Sequence, residues 1–251
     1  MNTARSALSN IMIAPSSGES FGSHPLVKKL LRGMFNERPA LPKYVCTFDV
    51  NIVLRYLKGL GDAATIPFKM LTLRLVTLLC LLSGQRDQTL TAMDVRLLHV
   101  TDNIVVCYIG QGLKSTRPKF HQSPLQFKAF PDSWNICPVY NMNQYLKRSF
   151  NLRGPHVKLL ISYCYPYHPV CTSTVSRWVK ETLQMAGIDT NIFSSHSTRG
   201  ASLSKAKSLG VSLAEINKAA GWANSGTFGV FYDKIIVEET NLGQTLLNNL
   251  T

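Results

Sequence analysis

In the stretch Ser194-Ser195-His196-Ser197-Thr198-Arg199, a histidine and an arginine stand three residues apart, directly after two serines suited to starting a helix. A helix N-terminus already favours an anion, and a guanidinium fork matches a phosphate, so the pair suits phosphate binding. The same two residues could equally do no more than cap and flank the helix. Trp222 follows in Gly221-Trp222, and Tyr232 in Phe231-Tyr232, ten residues later. An indole N–H is a hydrogen-bond donor and a phenol is a latent nucleophile, although a lone Trp is more often core, and eight other tyrosines are present. Earlier in the chain stand Arg86, in Gly84-Gln85-Arg86-Asp87, and Lys114, in Gly112-Leu113-Lys114 with Arg117 and Lys119 beside it. Arg86 alone also reads as a charge at a helix C-terminus, and Lys114 as a solvated turn lysine.

The elements that must position these residues belong to a chain of 251 residues with 45% hydrophobic and 16% charged residues, enough to bury a core. There are 27 Lys and Arg against 14 Asp and Glu, a net charge of +13 spread along the sequence. Such a surface favours a polyanion, with nucleic acid the leading candidate over a basic protein that has no such partner. The six cysteines form no C-x-x-C pair. Cys164, His168 and Cys171 lie close in sequence but not at the usual zinc spacing, so reduced structural thiols in an intracellular protein are expected. No secretory signal opens the chain. The apolar run 71–82 contains Arg74 and is too short to span a bilayer, so it predicts a buried helix and no membrane partner.

Residues 1–35 hold a Ser/Gly-rich loop and a short basic helix over 26–35, too small to form a core alone, and a Pro-containing connector over 36–45 marks a domain boundary. The expected division is 1–42, the tail end of a larger N-terminal helical domain plus linker, and 43–251, one large domain. Thr47 is placed to cap a helix with Val50, Val53, Leu54 and Leu57 on one face. After the buried helix the period changes to two: residues 95–100 and 104–109 flank the turn Thr101-Asp102-Asn103 as a hairpin, and 119–130 supplies a third strand. From 138 onward helices dominate, broken by an extended piece at 157–162. One helix starts near 174 and ends at Gly187, and Ser212 with Glu215 forms a capping box for another through Ala220. The fold class is therefore mainly α with a small antiparallel sheet.

Taken in order, Arg86, Lys114, His196, Arg199, Trp222 and Tyr232 give a pattern that resembles the tyrosine recombinase (phage integrase) family over roughly residues 43–251. The closest likeness is to the integrases of eukaryotic DIRS-type or Crypton-type mobile elements, which would place the protein in a nucleus. The resemblance implies a site-specific recombinase that cuts and rejoins double-stranded DNA through a 3′-phosphotyrosyl link, releasing a 5′-hydroxyl. It implies no metal and no nucleotide cofactor. The sequence offers no carboxylate cluster for Mg²⁺ and no phosphate-binding glycine loop. In that family, Tyr232 would be the nucleophile, Arg86 and Arg199 would grip the nonbridging oxygens, and Lys114 would protonate the leaving oxygen. His196 would shuttle the tyrosine proton, and Trp222 would offer its N–H to the phosphate. Lys114 is chosen over Arg117 and Lys119 because it aligns with the family's K-x-x-R turn; the other two would then contact DNA. Self-association as a dimer or tetramer on DNA is also implied, with the segment after Tyr232 docking on a neighbouring protomer.

Thr89 stands where many relatives carry an acidic residue, and Gln85 where an apolar residue is frequent. The family's amino-terminal DNA-gripping domain is expected to be largely missing, with residues 1–42 supplying only a helix or two. Two alternatives follow: a non-catalytic DNA-binding module, since residues 201–222 read as helix, Gly-containing turn and helix, or a recombinase relic that binds without cutting. Type IB topoisomerases share the chemistry, but their pattern and size suit the chain less well.

Overall fold

A computed structural model describes residues 2–13, 18–38, 46–110, 112–113, 123–222, 228–229 and 232–237. The chain divides into two compact units, residues 1–43 and 44–251. The first contains α1 (Asn2–Ile11) and α2 (Pro25–Glu37). His24 caps α2 by accepting the Leu26 N–H, and Pro25 at the first position has no N–H to leave unsatisfied. No residue of α2 is buried, and Leu26, Leu30 and Phe35 are exposed.

The second unit is mainly helical with a small antiparallel sheet. It begins with β1 (Cys46–Phe48) and α3 (Val50–Gly59). Thr47 does not cap α3: it lies inside β1, fully buried, and Asp49 caps instead by accepting the Asn51 N–H at 3.1 Å. Val50, Val53 and Leu57 face the core as their spacing predicts, while Leu54 is half-buried.

At the centre lies α4 (Phe68–Ser83), buried all round from Leu71 to Leu81 and packed against several later helices. Each fully buried leucine there contributes about 1.5–3 kcal/mol relative to exposure, which explains why the helix needs no polar face. Arg74 is the exception and is fully buried. Its Nη1 donates to the carbonyls of Leu57 and Gly61, satisfying the end of α3, and burial lowers its pKa to about 10. Among the described residues no helix is long and apolar enough to cross a membrane.

After α4 come α5 (Asp87–Thr91) and an antiparallel sheet of β2 (Leu98–Val100), β3 (Ile104–Cys107) and β4 (Leu125–Lys128), in that order across the sheet. The hairpin turn falls at 101–103, with Val100 opposite Val105. A 3₁₀ turn over Val95–Leu97 shortens the first strand. The third strand is confined to 125–128 among the described residues, since 119–122 lie outside them. Then follow α6 (Pro138–Ser149), α7 (Thr172–Met185), α8 (Ser195–Ser208), α9 (Leu213–Ala220) and β5 (Ile235–Val237). The predicted extended piece makes only isolated bridges, Asp94 with Lys158 and Ile161 with Pro169. The six cysteines are all free.

One feature of the topology has no signal in the sequence pattern. β5 pairs in parallel with β1, Cys46 opposite Ile235 and Phe48 opposite Val237. Residues 235–237, just after Tyr232, are thus paired within their own chain; residues 238–251, the rest of the segment expected to dock on a neighbouring protomer, lie outside the described residues.

Candidate active site

The site is assembled on α8. Ser194 caps the helix in a box with Ser197, whose hydroxyl accepts the Ser194 N–H at 2.9 Å. His196 and Arg199 sit one turn apart near this N-terminus. His196 is exposed, whereas Arg199 is 1% exposed, because α8 is buried over most of its first three turns.

Arg86 reaches the same place from α4. Gly84 ends α4 in the left-handed region at φ 59°, where a side chain would be strained, and a Cβ there would lie 2.8 Å from Leu203 of α8. This close approach sets the SGQRD turn against α8. Arg86 therefore does not sit at a helix C-terminus; it occupies the extended N-cap position of α5.

Trp222 is delivered by α9. The Ser212–Glu215 capping box forms as its residues predict, with Glu215 N–H to Ser212 Oγ at 3.3 Å. Gly221 then takes the left-handed conformation that closes the helix, φ 66°, and the Trp222 N–H returns to the Asn217 carbonyl at 3.0 Å. Tyr232 is held from two sides. Its N–H donates to Phe228 O at 2.8 Å, and its carbonyl accepts from Ser204 Oγ at 2.7 Å. The Ser204 hydroxyl also accepts the Lys234 N–H at 3.0 Å, and Lys207 pairs with Asp233.

These elements bring five side chains together. The Trp222 and Tyr232 rings lie 4.6 Å apart between centroids, and His196 and Tyr232 6.3 Å apart. The Arg199 guanidinium carbon lies 4.7 Å from the Trp222 ring and 5.4 Å from the Tyr232 ring. Its Nη2 donates to Ala220 O at 2.7 Å. Among the described residues, however, Arg199 Nε, Arg199 Nη1 and Trp222 Nε1 are buried without an acceptor. Burial, then the positive charge of Arg86, lowers the Arg199 pKa to about 10, with Tyr232 acting the other way. The group remains charged at neutral pH. Three orphaned donors around a cation form a cradle for an anion, since each unsatisfied buried donor costs about 1–3 kcal/mol.

Arg86, His196 and Arg199 open onto a cleft of about 490 Å³, lined also by Arg177 and Lys180 of α7. Those two exposed cations stand three apart on one helix face; their only signal in the sequence is that spacing, which ordinary solvated lysines and arginines share. Lys114, Arg117 and Lys119 lie outside the described residues. Among the described residues no group of three or more His, Cys, Asp or Glu side chains is placed to hold a metal.

The sequence matches the phage integrase family over residues 57–235, which takes in all five of these side chains. The chain belongs to the phage integrase family. Its fold is similar to that of XerA recombinase, with 16% identity and a TM-score of 0.56, covering 90% of this chain and 75% of that one. It is also similar to XerH site-specific recombinase bound to difH substrate in a pre-cleavage complex, with 9% identity, a TM-score of 0.58, and 98% and 60% coverage. A third likeness is to the Tn1549 transposon integrase in complex with transposon right end DNA, with 12% identity, a TM-score of 0.54, and 92% and 70% coverage. The chain thus spans 60% of the length of the XerH chain. At these identities the likeness establishes the integrase fold alone. No curated protein matches the chain.

Proposed function

We propose that this integrase-family chain cleaves and rejoins double-stranded DNA at specific sites through Tyr232. The observation that carries this reading is the set of orphaned donors, Arg199 Nε and Nη1 with Trp222 Nε1, beside the Tyr232 ring. A scissile phosphate is the anion that would satisfy them. Arg86 and Arg199 would neutralise the nonbridging oxygens, where charge grows in the transition state. The Tyr232 oxygen would attack phosphorus and the P–O5′ bond would break, leaving a 3′-phosphotyrosyl link. His196 would take up the tyrosine proton, and Lys114 would donate one to the departing 5′-oxygen. Attack by a partner strand's 5′-hydroxyl reverses the sequence and rejoins the DNA, so no outside energy source is needed.

Arg177 and Lys180 extend positive charge along the cleft and suit the phosphates flanking the cut. From the sequence resemblance, Arg117 and Lys119 would also contact DNA. The XerH and Tn1549 proteins were captured with DNA, which supports a DNA substrate; assembly on that DNA as a dimer or tetramer is what the resemblance in sequence implies. The sequence motifs favour a mobile-element integrase of the DIRS or Crypton type acting in a nucleus. Incubation with a pool of nicked duplexes, followed by denaturing gels, tests the reading. A covalent protein–DNA adduct formed by the wild type and absent from Tyr232→Phe is expected. DNA binding without any adduct would leave a DNA-binding relic instead.

A further inference from the structure

The two residues flanking Arg86 tie its turn to the rest of the site. Asp87 lies at a four-helix junction. Its Oδ2 accepts hydrogen bonds from both Ser176 of α7 and Ser195 of α8, and its Oδ1 lies 3.7 Å from the Cys80 thiol of α4. Ser195 immediately precedes His196. On the other side, the Gln85 side chain is 4% exposed. Its Nε2 donates to Ala219 O, the carbonyl next to the one that holds Arg199, and its Oε1 accepts from Thr89 Oγ1 at 3.2 Å. Trp222 follows three residues later.

We infer that Asp87, with Gln85 as a second arm, is a positioning residue that fixes Arg86 against His196, Arg199 and Trp222. Such a tether has work to do. Arg86 and Arg199 are like charges held in one cleft, and Arg86 already pushes down the Arg199 pKa. Before an anion arrives, repulsion favours swinging the Arg86 turn away, and hydroxyl-to-carboxylate bonds are strong enough to oppose it. Asp87 does this by geometry rather than as a counter-ion, because among the described residues it forms no ion pair with either arginine. Thr89 stands where an acidic residue would be expected; here Asp87 supplies a carboxylate two positions earlier, and Thr89 braces Gln85 instead.

The inference rests on the recombinase reading, and the test separates the two. Single-turnover cleavage is measured for the full chain, Asp87→Ala, Asp87→Asn and Tyr232→Phe on two nicked duplexes. One carries an ordinary scissile phosphate and the other a neutral methylphosphonate there. A displaced arginine costs rate rather than DNA affinity, so Asp87→Ala is expected to cut the ordinary duplex roughly tenfold to a hundredfold more slowly with unchanged DNA binding. Asp87→Asn, which keeps an acceptor for both serines, should recover most of the rate. On the methylphosphonate the Asp87→Ala deficit should largely vanish, because there is less charge for Arg86 to neutralise; a merely loosened fold would slow both duplexes alike.

If Asp87→Ala does not fold, the Ser176→Ala/Ser195→Ala double variant removes the same bonds from the other end and should show the same pattern. Wild-type rates in these variants, an equal deficit on both duplexes, or an Asp87→Asn as slow as Asp87→Ala would each overturn the inference. A wild-type chain that forms no adduct would refute the recombinase reading, and this inference with it.

Discussion

The Arg199 guanidinium carbon lies 5.4 Å from the centre of the Tyr232 ring, and two of the three guanidinium nitrogens have no acceptor among the described residues. A buried cation with spare donors beside a phenol is costly unless an anion completes it. Anion binding should therefore stabilise the fold. Inorganic phosphate at ten times its Kd should add about 1.4 kcal/mol by mass action. Differential scanning fluorimetry should show this rise in melting temperature for the wild type and not for Arg199→Met. An equal rise in the variant would place the anion elsewhere.

The same group gives a pH dependence with a definite sign. Arg199 is lowered from the usual arginine range to about 10, so the folded chain loses this proton before the unfolded chain does. Above about 10 and below the usual arginine range the unfolded state binds more protons, and the cost of burying the charge is relieved as pH rises through about 10. Only the charged form holds an anion. The stabilisation by phosphate should thus be full at neutral pH and fade as pH passes about 10, which a phosphate titration at stepped pH would show. Persistence well above that range would contradict the lowered value.

Gly84→Ala probes the seat of the Arg86 turn. The left-handed backbone costs a non-glycine residue roughly 1–2 kcal/mol, and the 2.8 Å approach to Leu203 adds an overpacking term of about 1–3 kcal/mol. The urea midpoint should fall accordingly, with cleavage more impaired than DNA binding. An unchanged midpoint would mean that α4 and α8 do not meet as closely as described.

Ser204→Ala removes the hydroxyl that joins the Tyr232 carbonyl to the Lys234 N–H. Two half-buried backbone groups lose their partner, at up to about 1 kcal/mol for each since water can reach them. Adduct formation should fall while DNA binding holds. Retention of the wild-type cleavage rate would show that β5 pairing alone fixes the nucleophile.

Cys171, exposed at the N-cap of α7, has a pKa lowered to about 6 by the Ser173 and Thr174 hydroxyls and nearby backbone N–H groups. Cys164 is also exposed, but Cys80 and Cys107 have raised pKa values in burial. Brief iodoacetamide treatment at neutral pH should label Cys171 first, as read by peptide mass spectrometry. Faster labelling of Cys164 would contradict this.

Much of this was legible in the sequence where the signal is local. The uniform apolar run of α4, the Ser212–Glu215 box, the 101–103 turn and the one-turn spacing of His196 and Arg199 each follow from contacts within a few residues. What could not be read is non-local. Thr47 suits a cap by type, yet its backbone is taken by a strand nearly the whole domain away in sequence, Ile235–Val237, and Asp49 takes the cap. Three-residue strands carry no alternation to recognise. Likewise Asp87 meets Ser176 and Ser195 only once four helices converge, and Arg177 joins the cleft only once α7 is laid beside α8.

The most direct test of the central claim is to digest the trapped protein–DNA adduct with nuclease and protease and map the nucleotide-bearing peptide by mass spectrometry. The account predicts a nucleotide joined to Tyr232 through its 3′-phosphate. A nucleotide on any other residue, or a 5′-phosphate linkage at Tyr232, would contradict it.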